Sequence, residues 1–276
     1  MLRIKKILLG CIVLFGLHAC STFGFIFERL DWLNAWQLDS MFDLNSEQEE
    51  EAERLGEYVR EWLRNDAFPR WIIRGQSIQQ TWREGDLQGA VESFESLSQS
   101  AWKETLAAIT KEVWPLLGSV SKPNTDYYRE YTEDNFSEWF EPLESSEAKR
   151  ERLLERLDEW FGDLNDEQLR LLDKNIAVQP NERKIRIDNS RHWRELFIIA
   201  ALEKDNQALA TWLTAPETWW LEEYKQLRAQ NRAMRLRFFT DLLPTLSDKQ
   251  RQHADDTMQE WIDAMAGVLP VAEYTE

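Results

Sequence analysis

LLERLDEWFGDLNDEQLRLL, residues 153–172, decides the fold class. Leu153, Leu154, Leu157, Trp160 and Phe161 recur at spacings of three and four, the period of one helix face. Asp163-Leu164-Asn165-Asp166-Glu167-Gln168 then starts a second helix. Asn165 is placed as the N-cap, and Gln168, three residues on, reaches back to the cap amide to form a capping box. Leu164 and Leu169 have the spacing of a hydrophobic staple across that start.

The same element recurs. Asp43-Leu44-Asn45-Ser46-Glu47-Gln48 matches it closely, and Leu246-Ser247-Asp248-Lys249-Gln250 is a looser copy. The intervals of 120 and 82 residues are too irregular for a solenoid. Between these starts the helical period continues, as at Trp220, Tyr224 and Leu227. Candidate strands are few and short, KIRID at 184–188 among them. AVQPNER (177–183) and TAPET (214–218) punctuate the chain. The expectation is an all-α bundle of about eight helices with no substantial sheet. GSVSKPNTD (118–126) is the clearest linker, dividing an N-terminal helical region, 20–117, from a C-terminal one, 127–276.

With 43% apolar and 30% charged residues, the 276-residue chain can fill a core. Its formal net charge of −17 repels nucleic acid, so binding to nucleic acid through charge is not expected. Fourteen Trp are an unusual load, read as core filling or, for some, as an exposed binding face.

The first residues carry the location. Met1–Lys6 is basic and Ile7–Leu17 is an apolar run of eleven residues, short of the roughly 20 needed to span a bilayer. This reads as a signal peptide, residues 1–19. Its end, Leu17-His18-Ala19-Cys20, resembles the lipobox of bacterial lipoproteins, although His18 stands where a small residue is usual. Cys11 also follows a lipobox-like triplet, but cleavage there leaves Ile12–Leu17 as an exposed apolar N-terminus. The resemblance implies diacylglyceryl and acyl chains, palmitate for example, on Cys20. Two or more chains make such anchoring stable. Ser21 in the following position implies transfer to the inner leaflet of the outer membrane, facing the periplasm. The only cysteine left after processing is then acylated, so no disulfide forms within the chain.

Cys20-Ser21, Asp31-Trp32-Leu33, Trp36, Leu38-Asp39 and the Asp43–Gln48 element together resemble a proteobacterial lipoprotein family of unknown function. The stretches around 153–172 and 242–250 extend the likeness to near the C-terminus. It implies an envelope location and a helical fold, with no activity attached. The Leu-Asn/Ser-x-x-Gln element is also similar to that of the Spy/CpxP periplasmic chaperones. Those are small curved helical dimers, and a shared cap does not transfer function.

Catalytic chemistry finds little footing. The mature chain has two histidines, His192 and His253. His253 lies near Asp255, Asp256 and Glu260, a thin ligand set with one nitrogen. Glu-x-x-His pairs fail, because 189 and 250 hold Asn and Gln. No phosphate loop, nucleophile elbow or His-Glu-x-x-His occurs, and no cofactor is implied. An envelope hydrolase or metal enzyme built around His253 or His192 is the rival reading. RHWRE (191–195) reads as a helix-face ion network.

Two features point to partners, which for an anchored chain are the membrane and envelope proteins. KQLRAQNRAMRLR (225–237) places Arg228, Arg232 and Arg235 on one face, either ion-paired with acidic helices or open to an acidic partner. FGFIFERLDWLNAW (23–36) has an apolar face of Phe23, Ile26, Phe27, Leu30 and Leu33. It is either the first core helix or an interfacial one with Trp32 and Trp36 at head-group level. The expected role is non-enzymatic protein binding or envelope maintenance, chaperone-like in its most specific form.

Overall fold

The computed structural model describes residues 19–143 and 145–270, and among these there is helix and no strand. Residues 1–18 of the leader, Cys11 among them, lie outside the described residues, as does the side chain of Cys20. KIRID forms the first turns of a helix. The all-α class holds, but the number of helices does not: thirteen α-helices are present among the described residues rather than eight. Apolar periodicity runs on through joints such as those at Pro69 and Pro115, so by itself it merges helices that the backbone separates.

Helices α1 (Ala19–Phe27) and α2 (Leu30–Phe42) lead to the Asn45 cap and α3 (Ser46–Trp62). A five-residue π turn, Leu63–Ala67, passes α3 into α4 (Phe68–Arg83). The Phe68 N–H donates to the Leu63 carbonyl, five residues back. The wider turn suits Pro69, which has no N–H and whose ring crowds the carbonyl four residues earlier. Then come α5 (Leu87–Glu112), α6 (Trp114–Ser119) and α7 (Lys122–Phe140). Residues 118–126, read above as a linker, hold the end of α6, a short break and the first turn of α7. Next are α8 (Ser146–Phe161), α9 (Asp166–Ala177), α10 (Arg183–Glu203) and α11 (Asn206–Thr214). Last are α12 (Glu222–Leu242) and α13 (Asp248–Ala266). Gly162, with φ of 67°, ends α8 in the left-handed region where a side chain is disfavoured.

The helices close around two main cores that interleave along the chain. The first gathers Leu55, Leu117, Tyr128, Phe197, Ile198 and Leu209 from α3, α6, α7, α10 and α11. Phe42 stacks on Tyr128 at 4.4 Å between ring centroids, and burial pushes the Tyr128 hydroxyl up to about 12. The second gathers Trp82, Leu157, Phe161, Leu172, Phe238 and Leu242 from α4, α8, α9 and α12. α5 joins the two cores, with Ala90 in the second and Ile109 packed against the first. A small third cluster, Phe27, Phe68 and Val268, ties α1 to the end of α13.

At the heart of each main core two helix starts meet, and their third residues bond to each other. In the second core, Gln168 and Gln250 exchange amide hydrogen bonds. Each also donates to the carbonyl two residues before the other's cap, Thr245 and Asp163. In the first core Gln48 pairs in the same way with Asn124, and the carbonyls in the matching register are Ser119 and Asp43. Asn124 accepts from the backbone N–H of Ser121 at 3.0 Å. A fourth capping box, Ser121–Asn124, therefore completes the set of three read from the sequence.

Candidate functional site

α5, α8 and α12 do not close on one another completely. They leave a groove of about 880 Å³ beside the second core, within the range of small-molecule sites. One side of α8 faces it with Lys149, Arg152, Arg156, Leu157 and Trp160, which recur at helical spacing. The facing residues change from cationic to aromatic along α8. From α5 comes Phe94, whose ring meets Trp160 edge to face at 5.4 Å. α12 contributes Met234 and Phe239, and α13 contributes Met258 and Trp261.

The cations at the groove are of two kinds. Lys149 is buried and donates to the Pro180 carbonyl at 2.7 Å. Arg186 is held by buried Glu182 at 2.6 Å. Arg152 and Arg156, one turn apart, have no hydrogen bond or ion pair among the described residues. The Arg152 side chain is reachable by solvent, yet the crowding walls lower its pKa; Arg156 and Arg186 nearby push the same way, and Glu182 opposes them. Glu159, further along α8, is shifted upward by burial, with Arg156 opposing.

The arginines singled out on α12 are divided by the fold. Arg232 and Arg235 both pair with Glu95 of α5, at 3.3 and 2.6 Å. Arg228 stacks over Trp220 at 5.3 Å and, like Arg235, lines the groove. Arg152, Arg156 and Arg186 were not singled out from the sequence. The Arg152–Arg156–Trp160 spacing was legible there, but the lack of an ion pair among the described residues was not.

The segment 191–195 forms the ion network its composition suggests. Arg191 and buried Arg194 both reach Glu133, and Arg129 reaches Glu195 at 2.8 Å. These bonds hold the Glu133 and Glu195 carboxyls below the ordinary range, with Arg191 and Arg129 respectively the largest cause. The histidines are not brought together with carboxylates. His192 is exposed, and His253 Nε2 lies 3.1 Å from the Glu159 carbonyl. Asp255 is taken by Arg83 at 2.7 and 2.9 Å. Among the described residues no group of three or more metal-ligating side chains converges.

Near the N-terminus, Phe27 is buried against Phe68, and Phe23 packs beside it. The other side of the segment stays open. Phe25 is 59% exposed, Trp32 52% and Trp36 36%. Arg29 lies over the Phe25 ring at 4.5 Å, and Trp32 and Trp36 stack at 6.4 Å. Residues 25, 29, 32 and 36 thus form one exposed face beginning five residues after Cys20. Among the described residues no helix is long and apolar enough to cross a membrane.

No curated protein and no solved structure matches the chain. A family model described as "Family of unknown function (DUF6279)" matches residues 40–225, more than half of the chain, from the end of α2 into the first turn of α12. The chain belongs to the DUF6279 family, whose function is unknown.

Proposed function

We propose that this chain is a lipid-anchored, periplasm-facing protein of the outer membrane that works by binding, and that the groove between α5, α8 and α12 is its binding site. The observation that carries the reading is the groove's lining: open apolar surface beside Arg152 and Arg156, which make no hydrogen bond or ion pair among the described residues, while the wall carboxylates Glu95 and Glu182 are engaged by Arg235 and Arg186. In a chain with 50 acidic and 33 basic side chains, an unpaired pair of neighbouring arginines is not the arrangement that charge balance alone favours. A chaperone-like role for apolar client segments is a form of the same binding reading.

The anchor at Cys20 is supported by the sequence before it and by the exposed face after it. Tryptophan prefers the boundary between water and lipid, where its ring is buried and its N–H stays wet. Trp32 and Trp36 fit that preference on a segment held close to the bilayer by acyl chains.

Mass spectrometry of the mature N-terminus tests the anchor. Acylated Cys20 is expected, and an unmodified Cys20 overturns it. Binding is tested with the mature chain carrying Cys20→Ser, which needs no detergent. N-phenylnaphthylamine, a dye that fluoresces in apolar sites, is expected to bind saturably and to lose that binding in Phe94→Glu. Non-saturable binding, or binding indifferent to Phe94, overturns the groove as the site.

A further inference from the structure

The groove has a cationic pole and an apolar pole, and their arrangement specifies a class of ligand. This inference rests on the groove being the binding site and concerns what it binds. At the cationic pole Arg152 and Arg156 project from one face of α8. Arg186 is close enough to Arg152 for the two to repel. Arg186 also lies over the Tyr224 ring at 5.9 Å, and four residues on, Arg228 stacks on Trp220, so the start of α12 belongs to this pole. From Arg152 to Trp160 is eight residues of helix, about 12 Å. At the far end the rings of Phe94 and Trp160 and the thioether of Met258 line the walls.

We infer that the groove binds a single-chain anionic amphiphile, its oxyanion head on Arg152 and Arg156 and its alkyl chain along Phe94, Trp160 and Met234. Guanidinium forks match the paired oxygens of a carboxylate or phosphate, and charge-assisted bonds of this kind are about twice as strong as neutral ones. A bound anion also relieves the repulsion between Arg152 and Arg156. The walls are helices whose main-chain amides are used within the helices, so the groove offers no strand edge to an extended acidic peptide. Its volume of about 880 Å³ is that of a small-molecule site. Fatty carboxylates and alkyl phosphates share the head chemistry, and the test separates them.

The experiment displaces N-phenylnaphthylamine from the Cys20→Ser mature chain with dodecanoate, dodecyl phosphate and dodecanol. At least one of the two anions is expected to compete about tenfold or more better than the alcohol. The better of the two identifies the head group. In the double variant Arg152→Gln/Arg156→Gln that preference disappears, while the dye still binds saturably and the melting temperature does not fall. Equal competition by alcohol and anions overturns the inference. So does a double variant that keeps the preference, or displacement by an acidic amphipathic peptide where neither anion displaces. Dye binding without anion preference defeats this inference alone. Calorimetric titration of both anions covers a dye that fails to enter, and absence of binding there defeats the groove reading as well.

Discussion

Gln168 and Gln250 donate their side-chain amides to each other, each across 2.9 Å, and are almost wholly buried in the second core. Each oxygen also accepts from its own cap N–H, of Asn165 or Ser247, and each nitrogen also donates to a carbonyl beyond the other's cap. Every amide hydrogen and both lone-pair directions are thereby used, which is the condition under which buried amides are tolerated. Gln168→Ala leaves Gln250 short of a partner and removes half of a capping box. A loss of about 1–3 kcal/mol in urea unfolding is expected. The double variant Gln168→Leu/Gln250→Leu is expected to lose less than the two single leucine variants combined, since it strands no partner. Strict additivity in that cycle would refute the pairing.

Gly56 sits where α2 and α3 cross most closely. A Cβ there would lie 2.6 Å from Asp31 Cα and 3.1 Å from Asn34 Cβ. On an exposed helix Gly→Ala is stabilising, by up to about 1 kcal/mol. Here overpacking against backbone dominates, and Gly56→Ala is expected to destabilise by about 1–3 kcal/mol. A thermal melt decides; an unchanged or raised midpoint contradicts the close crossing.

Acid weakens the ion network of α7 and α10. Glu133 and Glu195 have folded pKa values below the ordinary 4.5 because arginines donate to them. Their contribution is complete above the unfolded value and is lost as pH falls through 4.5 toward the folded values. Melting temperature followed from neutral pH to about pH 3 is expected to drop over that interval, and less steeply in Glu195→Gln. A profile of equal slope in both proteins counts against the network.

Glu159 has the opposite sign. Burial raises its folded pKa, so its ionised form opposes folding at neutral pH. Glu159→Gln is expected to raise the melting temperature at pH 7. The gain fades as pH falls toward the ordinary 4.5, where the native carboxyl is itself neutral. A gain that persists unchanged in acid points to packing instead.

Much of the fold was legible in local pattern. Asn45, Asn165 and Ser247 announced helix starts, and the structure caps helices at all three. Ser121–Asn124 escaped notice because Lys122-Pro123-Asn124 has the composition of a loop, although proline is well suited to a first helical turn. Trp32 and Trp36 were singled out together, and they stack on an exposed face. Arg228, Arg232 and Arg235 were grouped by periodicity, but Glu95, more than 130 residues earlier in sequence, takes two of them.

By itself the sequence determined the helical class, where several helices begin, and the apolar run Ile7–Leu17 that precedes Cys20. These follow from interactions within a few residues: side-chain spacing, cap hydrogen bonds and the length of a hydrophobic stretch. Tertiary structure decided which caps pair, that Gly56 touches Asp31, and which arginines face a groove without an ion pair among the described residues. Those depend on residues far apart in the chain meeting at specific distances, and helical periodicity says which face is apolar without saying which other face it meets.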